Sequence, residues 1–245
     1  MKIIEATWEK RNFGMDTYEI SLDKKDLRNF DDTYQKIKSQ NFKNSYVVIK
    51  MPVGNLEALH KLEDDGYRFL ETQLSLVDHF EPLNSEIESL PTNNLNYSVE
   101  KIKKDKNLWT HYINKITPGM FDTDRVSLDP KLGKEIACKR YKNWCLDLFE
   151  NPNANLYIKK IDNAEFGFFI DIVDEKTGNT NSIIGGNFEE FKNMGLGSVM
   201  LAEAKNLKAN RKTAVSTNNL PILKLHQHCG RVIYKERYVL RKIYE

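Results

Sequence analysis

The stretch that most constrains this chain is Glu189-Glu190-Phe191-Lys192-Asn193-Met194-Gly195-Leu196-Gly197-Ser198, because it joins two runs of different period. Upstream, Ser182-Ile183-Ile184-Gly185-Gly186-Asn187-Phe188 is short, β-branched and glycine-broken, the pattern of a buried strand that something approaches closely. Downstream, Val199, Met200, Ala204 and Leu207 recur at helical spacing, with Glu203, Lys205 and Lys208 left for water. The turn therefore opens a helix. Gly195 and Gly197 keep side chains away from the place where the helix's first unpaired N–H groups point outward. A pyrophosphate fits such a cradle, favoured by roughly 0.3–1 kcal/mol from the helix dipole and by a charge-assisted contact from Lys192. Two other phosphate loops are excluded. A G-x-G-x-x-G fingerprint would need glycine at Met200, and no Gly-Lys-Ser/Thr follows.

The rest of the chain reads as two units around a polar connection. In residues 1–81, short strands are expected at 2–6, 17–22 and 45–51, with a polar helix near 27–39. Leu56, Leu59 and Leu62 keep helical spacing, Gly66 ends that run, and 67–80 reads as a long strand. This predicts a small α/β domain with a sheet of its own. Trp8-Glu9-Lys10-Arg11-Asn12-Phe13-Gly14 reads as a surface loop with a buried aromatic. Residues 82–96, with Pro82, Asn84, Ser85, Pro91, Thr92, Asn93 and Asn94, read as a linker.

From 97 to 245 the expected order is a strand at 97–102, helices at 107–116 and 134–149, and a meander at 155–160 and 165–173 leading into the strand before the cradle. A strand at 213–217 then runs into Asn219, which caps a helix with Pro221 in its first turn and Gly230 after its end. Long strand structure follows at 231–243. The polar run Phe121-Asp122-Thr123-Asp124-Arg125-Val126-Ser127-Leu128-Asp129-Pro130 is either a place to hold an acceptor or an ordinary capped turn.

Composition narrows the classes. With 245 residues and 40% hydrophobic content the chain can build real cores. Its 37 basic and 35 acidic residues give a net charge of +2, so nothing argues for a nucleic-acid partner. No run approaches a membrane span and Met1-Lys2-Ile3-Ile4-Glu5 is no signal peptide, so a cytoplasmic protein is the default. Three cysteines form no paired framework, and Cys138 and Cys145 share a helical face with apolar neighbours, as inert core thiols do. The five histidines make no metal-ligand cluster, so no metal is expected.

The segment Lys192 to Gly197, in this order of strand, loop, helix, strand, Asn-bearing helix and final strands, resembles the Arg/Gln-x-x-Gly-x-Gly/Ala acyl-CoA signature of the GCN5-related N-acetyltransferases. Lys192 stands where the family usually has Arg or Gln, and Asn193 where glycine is frequent. The run Asn219-Leu220-Pro221-Ile222-Leu223-Lys224-Leu225-His226-Gln227-His228-Cys229-Gly230 is similar to the family's second motif, with His226 in place of a common tyrosine and Arg231 in place of Phe. The likeness covers about 97–245. It implies an acyl-CoA N-acyltransferase fold of class α/β (α+β), with a mixed, mostly antiparallel sheet beside the smaller N-terminal domain.

The resemblance also implies a site. Acetyl-CoA as co-substrate would be held by Gly185, Asn187, Lys192, Asn193, Met194, Gly195, Leu196, Gly197, Ser198 and Asn219. His226 takes the place of the tyrosine that protonates the departing thiolate, and as an imidazolium acid it would need a carboxylate nearby to raise its pKa. Asp171 and Asp174 are candidates for removing the amine's proton. The two-domain order, with the Trp8…Phe13-Gly14 element and Arg125-Val126-Ser127-Leu128-Asp129-Pro130, is similar to the dTDP-fucosamine acetyltransferases, which implies a dTDP-amino-sugar acceptor. Other small amines, peptide termini and acyl-CoA binding without turnover are the competing readings. The N-terminal domain is expected to form part of the acceptor site, with dimerisation, and so a homodimer, as the alternative.

Overall fold

The computed structural model describes residues 1–78, 96–192, 194–196, 211–228 and 230–245. The expected linker at 82–96 lies almost wholly outside the described residues, as does the amphipathic run after the cradle. The strands are β1 (Lys2–Glu5), β2 (Asp16–Ser21), β3 (Ser45–Pro52), β4 (Arg68–Asp78), β5 (Tyr97–Lys101), β6 (Ala154–Ile161), β7 (Ala164–Val173), β8 (Thr180–Asn187), β9 (Arg211–Ser216) and β10 (Arg231–Tyr244). The helices among the described residues are α1 (Lys10–Phe13), α2 (Lys24–Arg28), α3 (Phe30–Lys38), α4 (Leu56–Asp64), α5 (Lys106–Asn114), α6 (Arg125–Leu128), α7 (Gly133–Asp147) and α8 (Leu220–His228).

All ten strands form one sheet, in the order β1-β2-β3-β10-β4-β9-β8-β7-β6-β5. Pairing is parallel at β2/β3 and β8/β9 and antiparallel elsewhere, the mixed, mostly antiparallel sheet expected. The N-terminal residues do not have the separate sheet that their local pattern suggested. The C-terminal strand β10 lies between β3 and β4, in register from Arg237↔Pro52 to Tyr244↔Ser45 on one side and from Arg231↔Asp78 to Arg241↔Arg68 on the other. Period-two alternation tells which face a strand buries, not which strand it pairs with.

Two apolar clusters cover the sheet. Val47, Ile49 and Met51 of β3 point to one face, where they pack with Ile20, Leu240 and the helical residues Tyr34, Ile37, Ala58 and Leu62. Tyr46 and Val48 point the other way, and Lys50 follows them in that alternation. On the far side of the sheet, Leu156, Ile158, Phe168 and Ile170 pack against Trp109, Ile113, Ala137 and Cys145 of α5 and α7. Both Cys138 and Cys145 are buried free thiols, as expected. Trp109 is fully buried and donates from Nε1 to the Cys145 carbonyl at 2.8 Å, so its one polar atom is satisfied.

One buried polar knot joins the two parts of the sequence. Asp129 has no exposed surface; its carboxylate accepts from the Tyr46 hydroxyl at 2.8 Å and from Arg241 Nε and Nη2 at 2.8 and 2.9 Å. That fork-on-carboxylate geometry ties the turn after α6 to β3 and β10. No helix among the described residues is long and apolar enough to cross a membrane.

Candidate active site

The parallel strands β8 and β9 pair at Thr180↔Arg211 and Asn181↔Lys212 and nowhere further on. A β-bulge contributes to this. On the β7 side, Ile170 pairs with Ile184 and Asp171 with Ser182, which leaves Ile183 as an extra residue that bends β8. A cleft of ≈ 1190 Å³ opens between the strands, lined by consecutive residues of β8 from Asn181 to Asn187 and of β9 from Arg211 to Ser216. Successive strand residues point to opposite faces, so the cleft runs through the sheet. Asn187 lines it with a buried Oδ1 that has no hydrogen-bond partner.

Gly185 and Gly186 line this wall, but their missing side chains answer to the protein itself. A Cβ on Gly185 would sit 2.9 Å from Phe169 Cβ and 3.0 Å from the Phe168 carbonyl oxygen, and one on Gly186 would sit 3.1 Å from Met120 Cγ and Sδ. The expected close approach is therefore made by the neighbouring strand β7 and the Met120 turn. Gly195 is a different case. It has φ +74° with nothing within 4 Å of a built Cβ, so what requires glycine there is backbone conformation. Met194 beside it is 61% exposed, and Leu196 is half-buried. Asn193, Gly197 and Ser198, the remaining cradle residues, lie outside the described residues.

Lys192 does not reach outward. Its Nζ donates to the Gly119 carbonyl at 2.7 Å and lies 3.3 Å from Asp122 Oδ2. Its charge fastens the cradle loop to the turn that leads into α6, and an expected contact to phosphate would compete with that pairing. Asn219 caps α8 as expected, accepting at Oδ1 from the Ile222 N–H at 3.3 Å, and lines the cleft.

His226 is the buried residue of α8, 4% exposed. It lines the cleft, and its Nδ1 lies 2.9 Å from Arg231 Nη1. A guanidinium can only donate, so Nδ1 accepts and the ring proton sits on Nε2. Burial, with the Arg231 charge adding to it, lowers the His226 pKa to about 3. The imidazolium acid expected from the sequence is thus opposed here, because the neighbour is a cation and not a carboxylate. Asp171 is also buried, 3.5 Å from Arg211 Nη2, and its pKa is raised by burial against the pull of Arg211. Asp174 instead caps its own turn, accepting from the Lys176 N–H.

The opposite end of the cleft is built from charged residues of which the sequence reading quotes only Glu9 and Arg125, the latter in the polar run 121–130. Glu9, Glu19, Lys50, Glu71 and Arg140 line it together with Arg125. Trp8-to-Gly14 is not a loop but a 3₁₀ turn followed by α1, with Trp8 48% exposed on the cleft wall and Glu9 buried. Glu9 Oε1 accepts from Arg140 Nε at 2.7 Å; Glu19 accepts from Lys50 Nζ at 3.0 Å and from Arg125 Nη2 at 3.3 Å. Burial pushes the Glu19 pKa upward, but Lys50 and Arg125 outweigh it and hold the group down to about 2. Glu71 is raised by burial, despite Arg125 and a Ser216 hydrogen bond. A signal for these residues was in the sequence. Glu19 and Lys50 are single charges inside apolar strand runs, Tyr18-Glu19-Ile20 and Val48-Ile49-Lys50-Met51, and a buried lone charge needs a purpose or a partner.

These features, a sheet parted between two parallel strands with a glycine-bearing turn after one and an Asn-capped helix after the other, belong to a fold similar to that of a solved GCN5-related N-acetyltransferase. A GCN5-related N-acetyltransferase of Sphaerobacter thermophilus superposes with a TM-score of 0.57 at 10% identity, over 99% of this chain and 75% of that one. A functionally unknown conserved protein of Staphylococcus epidermidis gives 0.57 at 11% identity, over 95% and 86%. A Drosophila protein gives 0.56 at 8%, over 96% and 76%. No protein-family model and no curated protein matches the sequence.

Proposed function

We propose that the protein is an acyl-CoA-dependent N-acetyltransferase that transfers the acyl group directly to an amine. The observation that carries this reading is the parting of β8 and β9 around a cleft that passes through the sheet. An extended thioester fits there as a substitute strand. Every second N–H of β8 faces away from β7, and the unpartnered Asn187 Oδ1 suits an amide N–H of the pantetheine arm. The pyrophosphate is assigned to the turn from Lys192 to Ser198, around Gly195 and Gly197, with Asn219 and Gly185 along the arm.

In this reading the acceptor enters from the charged end, so residues 1–81 supply one wall of the acceptor site, and 97–245 supply Arg125 and Arg140 there together with the acyl-CoA side. The amine nitrogen attacks the thioester carbonyl, a C–N bond forms and the C–S bond breaks. β8 N–H groups can donate to the carbonyl oxygen as it gains charge. His226 contributes a hydrogen bond from Nε2–H toward the sulfur as a neutral group, while the thiolate takes its proton from water. The dTDP-amino-sugar implied by the sequence resemblance stays in the acceptor panel.

Calorimetric titration with acetyl-CoA, followed by thiol release in the presence of amines, tests the proposal. Binding with amine-dependent thiol release is expected. Binding without turnover on any amine would make this an acyl-CoA-binding module, and absence of binding would overturn the assignment.

A further inference from the structure

The charged end of the cleft contains two polar atoms that the protein leaves unmatched. Glu71 is 3% exposed and Arg125 9% exposed, yet Glu71 Oε2 and Arg125 Nη1 have no hydrogen-bond partner among the described residues, and both residues line the cleft. Their other ends are fixed. Arg125 Nη2 donates to Glu19, and Glu71 is hydrogen-bonded by Ser216, the last residue of β9. Each side chain is thus held by one end; the two charges offset each other in part, and each residue keeps one unmatched atom buried in the cavity wall. Leaving a buried donor or acceptor unmade is costly, and for charged groups more so. One acceptor atom and one donor atom on a shared cavity call for a ligand with both charges.

We propose that Glu71 and Arg125 form the acceptor subsite for a small amine that carries its own carboxylate, an α-amino acid, with the ammonium on Glu71 and the carboxylate on Arg125. The orientation follows from placement. Glu71 lies beside Ser216, where β9 ends at the open mouth of the gap between β8 and β9, so an amine on Glu71 is at the thioester end. Arg125 lies toward β2, through Glu19. The anion is a carboxylate rather than a nucleotide diphosphate because the other cations at this end are taken: Lys50 by Glu19 and Arg140 by Glu9. One free guanidinium edge matches one negative charge.

The assignment rests on the acyl-transfer reading for its chemistry. There, the bound ammonium gives one proton to Glu71, the free amine attacks the thioester carbonyl, and the second proton lost from nitrogen passes to water as water protonates the thiolate. The product is an N-acyl amino acid and CoA thiol, with the first proton returned to solvent from Glu71. A carboxylate whose charged form is disfavoured by burial is suited to accept that proton.

The experiment compares each L-amino acid with its own carboxamide, which keeps the amine and side chain and removes the anion. Binding to the intact protein is read by calorimetry without acetyl-CoA, and acetylation by thiol release with it. At least one amino acid is expected to bind and to exceed its carboxamide by on the order of 10–100-fold, the worth of a hydrogen bond between charged groups. In Arg125→Met that discrimination falls to near unity. In Glu71→Gln it persists while turnover drops on the order of 10²–10⁴-fold. Equal binding of acid and carboxamide by the parent protein overturns the proposal without reference to any variant, as does failure to bind any amino acid, or to acetylate any of them although acetyl-CoA binds. If amino acids bind with that discrimination but acetyl-CoA does not bind, the subsite stands and the acyl-transfer reading falls.

Discussion

The two ends of the cleft are made from different materials. At the β8/β9 end the wall is backbone, glycine and a neutral histidine, with its charges paired in place: Lys192 with Asp122 and Asp171 with Arg211. At the other end it is a set of ionised side chains, Glu19, Lys50, Arg125 and Arg140, contributed by β2, β3, α6 and α7. The motif-bearing end offers a shape that any acyl thioester could use. In the proposed reading the charged end supplies specificity, and it draws on both parts of the chain, β2 and β3 from one and α6 and α7 from the other.

The largest expected effect breaks the joint between those ends. Asp129→Ala leaves the Arg241 guanidinium and the Tyr46 hydroxyl without their shared acceptor. Removing one partner of a buried ion pair costs about 3–5 kcal/mol. Urea unfolding should show a loss of that size, and a loss under about 1 kcal/mol would mean the knot does not hold the halves together.

Next come the glycines of the backbone-built end, which should fail for opposite reasons. Gly185→Ala forces a methyl to within 2.9 Å of Phe169 and is expected to cost about 1–3 kcal/mol, with no ligand present. Gly195→Val meets no atom but must hold φ near +74°, at about 1–2 kcal/mol. In the proposed reading Gly195→Val also abolishes acetyl-CoA binding. Calorimetry on the folded variant checks this, and parent affinity there would remove the turn from the donor site.

The smallest effects at neutral pH separate the ends by acid titration. The unfolded chain protonates His226 near pH 6.5, whereas the folded chain does so only at about 3. Between those values the unfolded state binds more protons, so stability falls as pH falls. Glu19 titrates near 4.5 when unfolded and at about 2 when folded, so its contribution is lost lower, as pH falls from 4.5 toward 2. In denaturant midpoints measured from pH 7 to 3, His226→Phe should flatten the upper part of the slope and Glu19→Gln the lower part. If His226→Phe follows the parent curve, the histidine is not held neutral by burial and Arg231.

Local pattern made much of the fold legible. The β8 run, the Asn219 cap, Gly195 in a turn that needs positive φ, and the buried Cys138 and Cys145 were all readable because each depends on neighbours a few residues away. Lys192 was read as a contact to phosphate from its place in the turn, while the partners it has in the fold, Gly119 and Asp122, lie some seventy residues earlier. His226 was placed correctly on its helix, but its charge state depends on Arg231, which folds onto it from β10.

What the sequence by itself determined is therefore the set of elements, their buried faces and the turn chemistry between them, since periodicity, caps and backbone angles are local. Tertiary structure alone decided that β10 would cross into the N-terminal strands and make one sheet of two expected ones. It also decided that Glu71, unremarkable as a sequence position, and Arg125, from the polar run 121–130, would line one cavity with an unmatched atom each. Strand pairing and buried charge are settled by groups far apart in the chain, where desolvation and long-range hydrogen bonds outweigh any local preference.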